Sequence, residues 1–219
     1  DNGNYILREG TANTGEVRPT WETNKMLDEG EGCVQPDFTG GFSTNVRYKN
    51  LTFSAALDYS IGGDIVSWTN LWGEGSGLLD VTAAVNDKGV NVREPVQKGG
   101  GVHLTGVDAD GNPMDGYMDA YYYYYYKALY NAASYVYDRT YVKLRELSVR
   151  YDFPKTLLGK LGGGIQRASV AFVATNPWLI YSACPNIDPS EVGGATYNYL
   201  EGGQALSTRS FGVTLNITF

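Results

Sequence analysis

The sequence predicts an all-β protein whose antiparallel strands form part of a transmembrane barrel. Three observations favour this fold class: several segments alternate apolar and polar residues, turn-forming and aromatic residues are abundant, and the connections are of two very different lengths. The 219 residues include 28 Gly and 18 Tyr, and only 19% are charged, against roughly 25% in an ordinary soluble domain. We expect about five to eight strands, with long loops at about 62–118 and 177–207.

The first two strands are predicted to form a hairpin. From Phe42 to Tyr48 every second residue belongs to an apolar or amphipathic face, and after Lys49 and Asn50 the alternation restarts and continues to Tyr59. Two amphipathic strands joined by a two-residue polar turn indicate a β-hairpin.

Three further strands follow the same rule. The strand at 141–153 changes phase near Arg145 and Glu146, which predicts a β-bulge. A fourth strand is expected from about Ile165 to Asn176, and a fifth at 211–219, where the alternation is unbroken. Weaker strand candidates are Tyr5 to Arg8, Asp64 to Trp68 and the tyrosine run 121–126.

The connections favour a barrel in a membrane. The segment between Pro154 and Gly164 is short, whereas 62–118 and 177–207 are long and rich in Gly, Asn, Asp and Pro. Outer-membrane barrels have tight periplasmic turns and extended external loops. Polar side chains on one face of each strand suit a wet lumen, and aromatics near the strand ends suit the two membrane interfaces. A soluble carbohydrate-binding sandwich is the alternative that alternation alone leaves open.

Composition excludes several function classes. A formal net charge of −7 and a pI near 4.7 argue against nucleic-acid binding. Cys33 and Cys184 lack metal-ligand spacing and His103 is the one histidine, so we expect no zinc site and favour two free thiols over a disulfide. No apolar run is long enough for a transmembrane helix. No catalytic motif is present, and we expect neither enzyme activity nor a cofactor.

Asp108, Asp110 and Asn112 resemble the start of a calcium-binding loop. Position twelve of such a loop is normally Glu, but here it is Asp119. An ordinary Asp-Gly turn is therefore the favoured interpretation, and a metal site the weaker one.

Aromatic residues in the long loops are candidates for contact with cargo, because their rings stack on sugars and peptides. Within the tyrosine run, alternate residues of a strand would share one face. Phe219, which ends an alternating strand, is interpreted as a membrane-insertion signal. The cargo candidates are Trp68, Trp72, Tyr117, Tyr122, Tyr124, Tyr197 and Tyr199.

Four segments, taken in order, resemble the SusC-like (SusC/RagA) family of TonB-dependent outer-membrane transporters. They are QPDFTGGFSTNVRYKNLTFS (35–54) with DYSIGGDI (58–65), YDRTYVKLRELSVRYDFPK (137–155), ATNPWLIYS (174–182) with NIDPSE (186–191), and TRSFGVTLNITF (208–219). One departure is Asn176-Pro177, where the family has Asn-Leu. Proline removes one ladder hydrogen bond, so we expect a strand end or a bulge there.

The resemblance implies that residues 1–219 are the C-terminal segment of a barrel of about 22 strands in the outer membrane. It also implies a plug domain, energy coupling through TonB, a SusD-like lipoprotein lid and the import of oligosaccharides or peptides. Too few strands are present to close such a barrel, so the sheet edges require partner strands. The alternative is a complete small barrel with a structural or adhesion role.

Overall fold

The computed structural model describes residues 5–9, 17–19, 32–161, 164–192, 199–202 and 207–219. The chain divides into two compact units, an insertion unit (Asp1–Glu31 and Val66–Val136) and a sheet unit (Gly32–Ile65 and Tyr137–Phe219). The described strands are β1 (Tyr5–Glu9), β2 (Val17–Pro19), β3 (Phe38–Tyr48), β4 (Leu51–Ile61), β5 (Asp64–Ser67), β6 (Val102–Val107), β7 (Pro113–Met118), β8 (Val136–Asp138), β9 (Tyr141–Asp152), β10 (Arg167–Ser182), β11 (Leu200–Glu201) and β12 (Ser210–Thr218). The α-helices are α1 (Trp68–Gly75), α2 (Ala120–Tyr130) and α3 (Lys155–Leu161).

The sheet unit contains a five-stranded antiparallel sheet in the order β3-β4-β9-β10-β12. Each strand therefore pairs with its successor within the sheet, as in an up-and-down barrel wall. Tyr48 pairs with Leu51, which confirms the two-residue turn, and Lys49 in that turn has φ 52°. All five strongly predicted strands are confirmed.

Two irregularities lie at the same level of this sheet. Ala56 pairs with Glu146 and the next residue, Leu57, pairs with Leu144, so Arg145 is an extra residue in β9. In β10 the register shifts again between Thr175 and Trp178, around Asn176-Pro177. The bulge predicted near Arg145 is confirmed, and of the two alternatives expected at Asn176-Pro177, a strand end or a bulge, the structure has the bulge. The strand continues past the proline to Ser182, so the first six residues of the loop expected at 177–207 belong to β10.

The insertion unit contains a four-stranded sheet in the order β2-β1-β6-β7, in which β1 runs parallel to β6. Much of the segment expected as a loop at 62–118 is therefore folded. Helices α1 and α2 approach closely, because Gly75 leaves no side chain at the crossing, and a Cβ there would lie 2.8 Å from the Cβ of Ala128. The buried core of this unit contains Leu7, Val17, Val92, Leu104, Met118, Ala120, Tyr123 and Tyr124.

The prediction of a strand at 121–126 is wrong, because the tyrosines lie in helix α2. Asp119 caps this helix by accepting hydrogen bonds from the backbone N–H groups of Tyr121 and Tyr122. Tyrosines four residues apart then stack along the helix surface, with ring centroids 5.8 Å apart for Tyr121 and Tyr125. Capping, stacking and core burial together outweigh the strand preference of tyrosine.

Strands β11, β5 and β8 form a short three-stranded sheet, and the weakly predicted strands at Tyr5 and Asp64 are confirmed as β1 and β5. Over the described part of the chain, no helix has both the length and the apolar character needed to cross a membrane.

Cys33 and Cys184 are free thiols, as expected. Burial raises the pKa of Cys184 to about 12, which leaves it protonated and unreactive at neutral pH.

Candidate functional site

One face of the five-stranded sheet is an apolar belt. Val46, Phe53, Val149, Phe172 and Val213 pair across all five strands in a single row. Their side chains are nevertheless open to the surroundings, with Phe172 43% and Val213 72% exposed. A contiguous exposed apolar surface of this kind marks contact with lipid or another protein. The adjacent row on the same face is Tyr48, Leu51, Tyr151, Val170 and Leu215.

The opposite face of the sheet is polar. Asn45 donates from Nδ2 to Ser54 Oγ at 2.9 Å, and Ser54 pairs in turn with Ser148. The next polar row includes Arg47, Thr52, Arg150 and Thr214. A sheet with one apolar and one hydrophilic face suits a barrel wall between lipid and a wet lumen.

The outer edges of this sheet are open. Among the described residues, neither the free edge of β3 nor that of β12 pairs with another strand. Unpaired backbone groups within lipid cost several kcal/mol each, so these edges need partner strands in a membrane.

A charged cluster ties the segment after β10 to the polar face of β9. Lys143 has a side chain only 2% exposed, and its Nζ lies 2.6 Å from both Asp188 Oδ2 and Glu191 Oε1. The same ammonium donates to Ser190 Oγ at 3.2 Å and Ser207 Oγ at 3.3 Å. The buried cation therefore has a full set of acceptors, which satisfies the main requirement for burying a charge.

Arg145, the extra residue of the β9 bulge, extends this cluster along the polar face. Its Nε donates to both carboxylate oxygens of Asp58 at 3.0 Å, and its Nη1 lies 3.3 Å from Glu191 Oε1. Nη1 also donates to Asn176 Oδ1 at 3.4 Å, so the two bulges are joined by one guanidinium. Arg145 thus links strands β4, β9 and β10 to the segment that follows β10.

The cluster stabilises the ionised forms of its loop carboxylates. Burial alone would raise the pKa of Asp188, but hydrogen bonds from Lys143 and Ser190 outweigh it, and the pKa lies below its ordinary value. The hydrogen bond from Lys143 also lowers the pKa of Glu191. The sequence pattern does not reveal this cluster, because Lys143 lies 45 or more residues from Asp188 and Glu191. Alternation identifies Lys143 and Arg145 only as strand residues.

The predicted aromatic cargo candidates lie in different environments. Trp68 and Trp72 lie one turn apart on helix α1, 47% and 50% exposed, so both present ring surface to solvent. Tyr199 is 39% exposed. Tyr197 lies outside the described residues. As contacts for cargo, these four residues stay predictions.

Tyr117 lies between two neighbouring side chains. The ring of His103 stacks on it with centroids 4.8 Å apart, and Lys88 Nζ lies 3.5 Å from the ring centroid. Its hydroxyl donates to Asp87 at 2.8 Å. Partial desolvation and this hydrogen bond raise the pKa of Tyr117 to about 12. The ring is part of a local cluster, which reduces the surface it could offer to a sugar.

Helix formation also rearranges the tyrosine candidates. Tyr124 is 7% exposed and its hydroxyl donates to the carbonyl of Val81, so its ring lies in the core. Tyr122 is 44% exposed and stacks on Tyr126 with centroids 6.2 Å apart. Tyr121, which the strand interpretation did not select, is the most exposed of the run at 65%. It lies at a cavity of about 300 Å³ in the insertion unit.

The Asp108 loop is a closed turn. The Asp108 carboxylate accepts hydrogen bonds from the backbone N–H groups of Asp110 and Asn112 and from the Asn112 side chain, and these interactions lower its pKa. No metal-ligating group of three acidic, His or Cys residues occurs in the described part of the chain. Phe219 is 75% exposed and follows the apolar residues of β12, and its role in insertion stays a prediction.

The chain is similar in sequence and in fold to parts of longer proteins. The TonB-dependent receptor P3 of Formosa agariphila is 30% identical over 229 residues, which cover 96% of this chain and 20% of the receptor. The structure of the RagAB peptide importer in its open-open state aligns with all of this chain and with 21% of its own chain, with a TM-score of 0.56 and 17% sequence identity. In the closed-closed state the TM-score is 0.52, with 16% identity. The chain thus spans about a fifth of these proteins. No family model matches it.

Proposed function

We propose, since this chain corresponds to part of a SusC-like TonB-dependent receptor, that it forms one section of the wall of an outer-membrane importer. The observation that carries the proposal is the five-strand row from Val46 to Val213, with Arg47 and Arg150 in the adjacent row on the opposite face. Such a wall separates lipid from lumen without a transmembrane helix.

The open edges of β3 and β12 support a wall within a larger barrel over a complete small barrel of structural or adhesion type. The remainder of the barrel would provide the partner strands. A plug inside it, the TonB complex and a SusD-like lipoprotein would complete the importer.

Cargo is proposed to be an oligosaccharide or a peptide that contacts the insertion unit. Trp68 and Trp72 support this, because two half-exposed indoles one helical turn apart offer flat surface to a ligand. Burial of such rings provides binding energy with little conformational freedom to lose.

The test uses the complete receptor in its native outer membrane, with labelled oligosaccharide and peptide mixtures as probes. Uptake should require the receptor and an energised membrane, and the purified complex should contain a lipoprotein. Trp72→Ala should lower apparent affinity for cargo about tenfold, whereas Trp178→Ala, which removes a strand indole 59% exposed, should not. A folded receptor that transports neither class, or a native particle with only this chain, would contradict the proposal.

A further inference from the structure

The single histidine of this chain, His103, lies between two carboxylates in the insertion unit. Its Nε2 is hydrogen-bonded to Asp115 Oδ1 at 2.9 Å, and its Nδ1 lies 3.3 Å from Asp87 Oδ2. Asp115 belongs to β7, whereas Asp87 belongs to the turn at residues 86–90, which we call the Asp87 turn. The imidazole therefore contacts two segments that are separate in the sequence.

The other titratable groups in contact with this site come from the same two segments. Tyr117 of β7 stacks on the imidazole, with ring centroids 4.8 Å apart, and its hydroxyl donates to Asp87 at 2.8 Å. Lys88 of the Asp87 turn has its Nζ 3.5 Å from the centroid of the Tyr117 ring. The two carboxylates and the ammonium add to a local charge of −1, which a protonated imidazole brings to zero.

Only the protonated imidazole suits both carboxylates. An imidazolium carries a proton on each ring nitrogen, so Nδ1 and Nε2 can both face a carboxylate. A neutral imidazole has one proton, and the lone pair on its other nitrogen then faces an anion, which is repulsive. Histidine ordinarily changes its charge between about pH 5 and 8. Asp87 stays ionised over that range, because the hydrogen bond from Tyr117 lowers the pKa of Asp87.

We propose that His103 is a pH-sensitive clasp, which holds the Asp87 turn to the β6–β7 hairpin while the imidazole is protonated and loosens it when the proton is lost. The sign follows from linkage, because a histidine that gains anionic partners on folding contributes stability that is present in acid and is lost as pH rises. Tyr117 still binds Asp87 after the proton has left, so the turn loosens without detaching. The inference goes beyond the importer function and does not rest on it, since every group in the clasp belongs to the insertion unit.

Hydrogen exchange of the complete receptor in detergent, followed by mass spectrometry over a range of pH, tests the clasp. The measured quantity is the protection of amides 88–90, which donate to Asn86, relative to an unstructured amide at the same pH. In the unmodified receptor this protection should fall about threefold between about pH 5 and 8, the size expected for a partly exposed ion pair. Constant protection over that range would overturn the proposal.

The variant His103→Gln separates the clasp from other effects of pH. Glutamine keeps a polar side chain at this position but has no proton to lose between about pH 5 and 8. Protection of amides 88–90 should therefore be the same at both ends of the range in this variant. If His103→Gln retains the full pH dependence, another group is responsible and the proposal is wrong.

Two variants with the same chemical change in the β6–β7 hairpin test the partner carboxylate. Asp115→Asn should diminish the pH dependence, because an amide can donate to a neutral imidazole or accept from a protonated one. Asp110→Asn makes the same change in the turn between β6 and β7, at the end of the hairpin away from His103, and should keep the full dependence. Equal pH dependence in the two variants would contradict the clasp.

Discussion

The strongest energetic prediction concerns Lys143, whose removal should release the segment that follows β10. The change is Lys143→Met, which keeps much of the side-chain volume but removes the ammonium. Asp188 and Glu191 would then face each other without the cation that now lies 2.6 Å from each. Three groups would lose their main partner at once, since Ser207 also accepts from this ammonium.

The magnitude follows from the burial of the three charges. Removal of one partner from a buried ion pair costs about 3–5 kcal/mol. Here the lysine is 2% exposed, but Asp188 and Glu191 are 18% and 28% exposed and retain part of their hydration. We therefore expect the lower end, about 3 kcal/mol. Because about 1.4 kcal/mol corresponds to a factor of ten, the open population of the segment should rise about 100-fold.

Hydrogen exchange of the complete receptor in detergent measures this opening. Backbone amides of residues 190–192, which are hydrogen-bonded within the turn at Pro189–Glu191, should exchange about 100-fold faster in Lys143→Met. Lys160→Met, an exposed lysine on helix α3, is the matched control and should leave exchange unchanged. Exchange within twofold of the unmodified receptor would refute the assignment of Lys143 as the anchor of this segment.

Three further predictions follow from the same structure. The pKa values of Asp188 and Glu191 are lowered in the folded state, so the stability they contribute is present above their ordinary values of 3.8 and 4.5 and is lost as pH falls below them. The protection factors of amides 190–192, which compare their exchange with that of an unstructured amide at the same pH, should therefore fall in that acid range and stay constant around neutral pH; constant protection down through the acid range would contradict this linkage. Val213→Arg should make folding into the membrane less favourable by about 2–4 kcal/mol, and the folded fraction should fall accordingly, as measured by heat-modifiable mobility on gels. Thr214→Arg on the polar face should not have this effect, and equal effects of the two variants would contradict the assignment of the faces. Gly75→Ala should destabilise the insertion unit by about 1–3 kcal/mol, because the added Cβ would clash with Ala128. Gly159→Ala, whose added Cβ has no atom within 4 Å, should be neutral or stabilising, and limited proteolysis compares the two variants.

Alternation was sufficient to predict the wall of the barrel. Strands with one face in lipid and one in water repeat every two residues, and this signal survives even at the β9 bulge, where the change of phase at Arg145 was itself informative. The register of the β3–β4 pair was also predictable from the sequence, because a two-residue turn at Lys49 allows Tyr48 to pair only with Leu51. Local sequence therefore contains most of the information about the sheet.

The tyrosine run shows where this reasoning fails. Residues 121–126 were a strand candidate, but the buried residues Ala120, Tyr123, Tyr124 and Ala128 follow helical spacing. That spacing and the capping Asp119 were present in the sequence as competing signals. The helix exposes Tyr121 and buries Tyr124, so the rings open to a ligand differ from those that a strand would present.

The charged cluster could not be predicted in the same way. Lys143 meets Asp188 and Glu191 only because β10 and the turn after it return the chain to β9. Contacts of this kind depend on tertiary pairing rather than on local pattern. A polar residue on an alternating strand therefore identifies the face on which it lies but not the group that it will bind.

The bulges in β9 and β10 also affect how such proteins are recognised in sequence surveys. Above Arg145 the apolar positions of β9 are Val142 and Leu144, and below it they are Leu147 and Val149, so their parity changes within one strand. A search that demands strict alternation divides β9 into two pieces, each shorter than the roughly nine residues needed to span a bilayer. Surveys that tolerate one slip per strand would retain it, and strand counts made without that tolerance underestimate the number of barrels in a genome.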